Sequence, residues 1–200
     1  LTNKERALTK EEVLTLFKET GALLEGHFLL TSGLHSPQYF QCAKVLQYPQ
    51  HAQKLCWEIA YNYMSEKVNV VIGPALGGII MAQEVARLMS ARAIFAERED
   101  KKMTLRRGFE IKTGERVLAV EDVVTTGGSI NEVIDLVNAS NAKLIGVGFL
   151  VDRSQNQVKF DVPKFSIIEI DVVTYPPDEC PLCKKGIPVV KPGSRKTVSS

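Results

Sequence analysis

The residues with the most chemistry to offer lie in one run, Glu121-Asp122-Val123-Val124-Thr125-Thr126-Gly127-Gly128-Ser129. An apolar stretch, Arg116-Val117-Leu118-Ala119-Val120, precedes it, and apolar residues at helical spacing follow over 129–140. A strand, a small-residue turn and a helix start make an anion site, because successive backbone N–H groups converge at the positive end of the helix dipole. Gly127 and Gly128 let the backbone approach a phosphate closely, and Thr125, Thr126 and Ser129 add hydroxyl donors. Two acids directly before the turn would be unhelpful to a bare phosphate. They suit a phosphate that carries a sugar, since carboxylates accept hydrogen bonds from vicinal ribose hydroxyls and can orient Mg²⁺ or its waters. They also favour positive charge developing on an anomeric carbon. No Gly-Lys-Ser/Thr follows, so a Walker loop is excluded, and no strand leads into G-x-G-x-x-G. A strand whose acids merely cap the next helix is the plainer reading, but it leaves the acid pair and the Thr-Thr-Gly-Gly-Ser run unexplained.

Such a turn needs a sheet beneath it. Near-continuous apolar, β-branched runs at 68–73, 93–96, 116–121, 144–151 and 165–174 suit strands buried on both faces of a parallel sheet. Helical spacing at 77–90 and 129–140 supplies the crossovers of an α/β domain. Upstream, Thr9 is the expected N-cap of a helix, with Glu12 closing a capping box and Gly21 ending the element. Short extended pieces follow over 26–40, broken by Gly26, Gly33 and Pro37, and a second helix is expected over about 50–65. The segment 97–116, with Arg98-Glu99-Asp100-Lys101-Lys102-Met103-Thr104-Leu105-Arg106-Arg107-Gly108, is too long and charged for an ordinary turn, which suggests a functional lid or a solvated charged hairpin.

Bulk properties bound the classes. Two hundred residues with 44% hydrophobic content suit one domain, which at this size buries roughly 70% of its unfolded surface and needs no disulfide or metal to be stable. A net charge of +2, from 25 basic and 23 acidic side chains, argues against a nucleic-acid partner held by a broad basic field. No apolar run is long enough to span a membrane and the first residues are polar, so a soluble, cytoplasmic protein is expected. The start at Leu1 is compatible with numbering that begins inside a longer chain.

Cys180-Pro181-Leu182-Cys183 is a C-x-x-C among prolines. A structural zinc needs four ligands, and neither a second pair nor a His-x₃-His lies nearby in sequence. Two free thiols in a turn are the favoured reading, with a metal knuckle completed by another chain, or a disulfide, as alternatives. His27, His35 and His51 show no spacing that suggests a metal cluster, so no metal-ligating side chain is assigned beyond Glu121 and Asp122.

The run 121–129 with its preceding strand resembles the phosphoribosyl diphosphate (PRPP) motif of type I phosphoribosyltransferases. The resemblance implies that family's fold, a central, mostly parallel sheet flanked by helices with a small N-terminal hood. One domain is expected over 1–200, with the hood mainly 1–45, the core about 50–174, and 175–200 packed on it or frayed. It further implies Mg²⁺ as cofactor, bound mainly through PRPP. Gly26-His27-Phe28-Leu29-Leu30-Thr31-Ser32-Gly33-Leu34-His35-Ser36-Pro37-Gln38-Tyr39-Phe40 resembles the N-terminal signature of the orotate phosphoribosyltransferases, part of a hood over the base. Tyr39 and Phe40 offer flat faces for stacking, although such aromatics can also simply fill a core. The resemblance assigns Thr125 and Arg153 to orotate. Arg153 follows Val151-Asp152, and a guanidinium matches the carboxylate that uracil, hypoxanthine and guanine lack; a surface salt bridge is its plainer role. Ala75-Leu76-Gly77-Gly78 is similar to the pyrophosphate loop, and Arg98, Lys101 and Lys102 to a mobile catalytic loop that reaches across a homodimer. The sequence departs from the family where many relatives carry lysine, at Thr31 and Gly77, and in the altered Arg98-Glu99-Asp100 start of the loop. The implied activity is transfer of ribose 5-phosphate from PRPP to orotate in pyrimidine nucleotide synthesis. A transferase for another base, or a PRPP-sensing regulator of the same fold, are the alternatives.

Overall fold

The computed structural model describes residues 7–30, 32–155, 157–171 and 173–192. At its start Thr9 caps α1 (Lys10–Glu19). The Thr9 hydroxyl accepts from the Glu12 N–H at 3.2 Å, and the Glu12 carboxylate accepts from the Thr9 N–H at 2.7 Å. Two donors that no helical carbonyl reaches are thereby satisfied. The chain turns through Gly21 at φ +67° into an antiparallel hairpin of β1 (Leu23–Leu29) and β2 (His35–Phe40), a two-stranded sheet of its own. This is the small N-terminal sheet expected of the hood. Helices α2 (Ala43–Leu46) and α3 (Pro49–Asn62) lead from it into the main sheet.

That sheet is built by alternation of strand and helix: β3 (Val70–Pro74), α4 (Gly77–Met89), β4 (Arg92–Glu99), β5 (Lys102–Leu105), β6 (Arg116–Val124), α5 (Gly128–Ala139), β7 (Lys143–Asp152) and β8 (Lys164–Glu169). Its strand order is β5-β4-β3-β6-β7-β8, and only the β4–β5 pairing is antiparallel. Side chains of β6 alternate between two cores. Leu118 and Val120 pack with residues of α3 and α4 such as Ile59 and Met81, whereas Val117 and Ala119 pack with Ile130, Val133 and Val137 of α5. Burial on both faces is why the run reads as continuously apolar.

Three expectations need correction. Strand β6 does not stop at Glu121 but continues to Val124, so both acids belong to the strand and the turn begins at Thr125. The charged linker is not irregular: β4 extends to Glu99 and pairs back with β5 through Asp100 and Lys101, both at positive φ (+49° and +68°), the backbone of a tight two-residue hairpin turn. The apolar run 165–174 is strand only as far as Glu169, because beyond it the chain leaves the sheet edge and crosses to the hood. There Tyr175 pairs with His35, and farther on Val190 pairs with Phe28. The tail up to residue 192, including a short α6 (Pro181–Lys184), thus straps the hood rather than fraying; residues 193–200 lie outside the described residues. No helix among the described residues is long and apolar enough to cross a membrane.

Candidate active site

Strand β6 carries Glu121 and Asp122 to the carboxyl edge of the sheet, where ligands of open parallel sheets bind. Thr125 and Thr126 are exposed there, and α5 opens from Gly127 at φ +75° with no side chain capping its first N–H groups. Those donors are left for an anion. Glycine is required at 127 twice over: the left-handed backbone disfavours a side chain, and a β-carbon would lie 2.7 Å from Val158 Cγ1.

The Ala75-Leu76-Gly77-Gly78 loop joins β3 to α4 beside this cradle. A β-carbon on Gly78 would lie 2.8 Å from Pro74 Cδ and 3.0 Å from the Gly73 backbone, so strand and helix start approach at glycine distance. A β-carbon on Gly77 would fall on the Asp122 carboxylate. The family's frequent lysine therefore has no room at 77 while Asp122 sits where it does. Thr31, the other departure, lies outside the described residues.

Burial dominates the electrostatics of the acid pair. It pushes the Glu121 carboxyl up to about 8, helped by the negative charge of Asp122. Asp122 is also raised by burial, against the opposing pull of the Val123 N–H, which donates to Oδ1 at 3.0 Å. No basic side chain contributes to either shift. Two half-buried carboxylates, with no counter-cation shown among the described residues, fit ribose hydroxyls and Mg²⁺, both of which favour the ionised form.

Arg153 follows β7 and is anchored by its own N–H, which donates to the Val124 carbonyl at 2.9 Å. Its guanidinium lies over the Phe40 ring, 5.8 Å from the centroid. Nε is buried and has no hydrogen-bond partner, and burial lowers the pKa of the group. Asp152, next to it, is engaged elsewhere: it accepts from the Ser154 N–H at 2.7 Å and from Lys164 Nζ at 2.6 Å. Arg153 is thus not a surface salt bridge but a half-buried cation with donor capacity to spare, beside Tyr39 and Cys42. Cys42 in turn lies against the Asp122 carbonyl, which ties the hood to the cradle.

Phe40 departs from the stacking role expected of it. It is 6% exposed, meets Phe17 edge-on and belongs to the core, so its ring supports Arg153 instead of presenting an open face to a base. Tyr39 is half-buried, tilted against Phe28 at 5.9 Å.

In the hairpin, Arg98 is occupied. Its guanidinium donates to both carboxylate oxygens of Glu132 on α5 (2.7 and 2.8 Å) and to the Lys101 carbonyl (3.0 Å). Arg106 pairs with Glu99 at 3.3 Å and Arg107 with Glu97 at 3.0 Å. Lys101 and Lys102 are exposed at the tip.

One cluster overturns the expectation for the histidines. His27, His35, Cys180 and Cys183 come together within one chain, their ligand atoms all within 4.8 Å of one another, although no local spacing announces it. Both cysteines are free. The missed signal is the hairpin itself: Leu29 pairs with His35, and His27, two residues before Leu29, shares its face of the strand.

Comparison with known proteins agrees with this arrangement. The phosphoribosyl transferase domain family matches residues 44–179. A protein of Thermoanaerobacter sp. named orotate phosphoribosyltransferase is 58% identical over 189 residues, covering 94% of this chain and 100% of that one. One of the same name from Caldanaerobacter subterraneus is 56% identical with the same coverage. Among solved structures, the orotate phosphoribosyltransferase of Aeropyrum pernix superposes with a TM-score of 0.69 at 27% identity, covering 79% of this chain and 93% of that one. With the domain family matched over residues 44–179 and relatives more than half identical over their whole length, the chain belongs to the orotate phosphoribosyltransferase family.

Proposed function

We propose that the chain transfers ribose 5-phosphate from PRPP to a ring nitrogen of orotate, giving orotidine 5′-monophosphate and pyrophosphate. The observation that carries the acceptor is Arg153, a half-buried guanidinium with an unpartnered Nε beside the cradle. A planar carboxylate on the base would satisfy it with parallel charge-assisted hydrogen bonds, and a base lacking that carboxylate would leave the donors unmet.

The roles of the other residues follow from their chemistry. The backbone from Val123 to Ser129 and the start of α5 hold the 5-phosphate. Glu121 and Asp122 accept from the ribose hydroxyls, and once ionised they favour positive charge on the anomeric carbon as its bond to pyrophosphate breaks. The orotate nitrogen forms the new bond to that carbon as the bond to pyrophosphate breaks, and its proton passes to solvent. Thr125 and Arg153 orient the base, and Ala75 to Gly78 give the leaving group a small-residue backbone. Glu121 and Asp122 would help to hold Mg²⁺, which would supply positive charge against the pyrophosphate. Positioning and fixed charge provide most of the rate. In a cytoplasmic homodimer, Lys101 and Lys102 at the tip of the β4–β5 hairpin add charge against the pyrophosphate of the partner's site and exclude water.

Consumption of orotate with PRPP and Mg²⁺, run beside hypoxanthine, adenine and uracil, tests the assignment. Turnover is expected with orotate and not with the other bases. Activity on another base without orotate turnover sinks the acceptor, and PRPP binding without transfer to any base makes the chain a PRPP sensor. Sedimentation of the active protein as a monomer would remove the trans role of the hairpin.

A further inference from the structure

His27 sits on β1, His35 opens β2, and Cys180 and Cys183 flank the turn that begins α6 in the C-terminal strap. Separated by up to 156 residues, these side chains converge on a single point. His27 Nε2 and His35 Nδ1 are 2.8 Å apart, Cys180 Sγ is 3.5 Å from His27 Nε2, and Cys183 Sγ is 3.3 Å from His35 Nδ1 and 3.7 Å from His27 Nε2. In a tetrahedron with two sulfur and two nitrogen ligands around zinc, neighbouring ligand atoms are about 3.3–3.8 Å apart, given the usual metal–ligand lengths. The three sulfur–nitrogen spacings fall in that range; the nitrogen pair is closer, and the four ligand atoms span up to 4.8 Å, so binding would draw the widest of them inward.

The surroundings prepare the ligands. The Ile187 carbonyl lies 2.7 Å from His27 Nδ1; Nδ1 donates to it, so the lone pair of Nε2 faces the cluster. Such an outer hydrogen bond on the remote ring nitrogen is usual for a metal-bound histidine. The turn after the cysteines closes through the Gly186 N–H donating to the Cys183 carbonyl at 2.9 Å, with Gly186 at φ +68°, so both sulfurs stay on one side of it. Cys180 and both histidines are buried, whereas Cys183 is exposed, which gives a metal a route in.

We propose that His27, His35, Cys180 and Cys183 bind a zinc ion that clamps the C-terminal strap to the hood. All four positions are taken by protein, so the site is structural, with no place for a substrate. Its position gives it a consequence. Among the described residues, the strap holds the hood by few backbone bonds, those of Tyr175 with His35 and of Val190 with His27 and Leu29, and β2 runs from His35 directly to Tyr39 and Phe40 beneath Arg153. Metal at one end of that strand stiffens the segment that shapes the base side of the crevice.

Metal content of the full chain, purified without chelator or histidine tag, tests this by plasma mass spectrometry. About one zinc per chain is expected, falling to about a tenth or less in Cys183→Ser and in His35→Asn, and unchanged in His51→Ala, which lies outside the cluster. Cobalt(II) titrated into the demetallated wild-type chain is expected to give the intense visible bands of a tetrahedral site with thiolate charge transfer, and to raise its melting temperature. This readout needs no variant to fold. Metal-free protein with two titratable thiols that takes up neither zinc nor cobalt overturns the proposal, as does a Cys180–Cys183 disulfide found by mass in freshly purified protein.

Discussion

Gly77 and Asp122 compete for the same space: a β-carbon on Gly77 would fall on the Asp122 carboxylate. The 75–78 loop and Asp122 are thus in close contact, and the absence of a side chain at 77 is a condition for the acid's position. In Gly77→Ala the obstacle is the end of a side chain, which can rotate away, so the fold should survive while the acid is displaced. We expect kcat/KM to fall about 100-fold, the scale of a misplaced catalytic group, with little change in melting temperature. Gly78→Ala should do the reverse, since its β-carbon meets Pro74 and the Gly73 backbone; loss of stability should dominate there. Equal effects of the two substitutions on stability would refute the distinction.

If Arg153 holds the base as proposed, replacing it should separate acceptor binding from donor binding. Arg153→Ala should raise KM for orotate about 10- to 100-fold, the worth of hydrogen bonds to a charged group, while KM for PRPP stays within about twofold. Arg153→Lys should not restore orotate binding, because an ammonium lacks the planar fork and loses contact with the Phe40 ring. Steady-state kinetics with each substrate varied decides this; a PRPP effect as large as the orotate effect would place Arg153 elsewhere in the mechanism.

If Glu121 contacts the donor as proposed, its raised pKa should make donor binding depend on pH. Burial, with Asp122 beside it, raises its carboxyl from 4.5 to about 8, so below that pH Glu121 is mostly protonated in the free chain. Ribose hydroxyls and Mg²⁺ favour the ionised form, and binding of Mg²⁺ with PRPP should release a proton. Affinity should therefore rise with pH and level off above about 8, by at most about tenfold per unit. The free chain should show the opposite trend in stability. Between 4.5 and about 8 the folded state holds a proton that the unfolded state has lost, so this contribution to stability diminishes as pH rises through that window. Calorimetry of PRPP binding in buffers of different ionisation enthalpy checks the proton count, and Glu121→Gln should abolish it.

The sheet was legible because strands buried on both faces announce themselves by composition, as 116–120 and 144–151 do. The turn into α5 was legible because its backbone geometry demands glycine at 127, beside hydroxyls and acids in one local run. Contacts made across the fold were not. Nothing near Arg98 in sequence points to Glu132, and charge alone could not separate a lid from a hairpin held to α5. Phe40 has the residue type for stacking, but its exposure is decided by Phe17, far off in sequence. The His–Cys cluster is the extreme case, since each half looks incomplete until the strap crosses to the hood.

The Arg98–Glu132 pair yields the last prediction. Both side chains are substantially exposed, 45% and 36%, so the pair should contribute at most about 1 kcal/mol to stability. Its effect should instead be on hairpin position. If Lys101 and Lys102 act on the departing pyrophosphate, replacing both with alanine should lower kcat at least about tenfold and leave the melting temperature unchanged, since both are exposed. Glu132→Ala keeps those lysines and frees the hairpin from α5, so it should change kcat far less than the double replacement while increasing hydrogen exchange over 98–105. The two variants distinguish charge at the tip from anchoring at the base. If the double lysine variant turns over normally, the hairpin is a solvated surface element and the charge facing the pyrophosphate must come from elsewhere in the crevice.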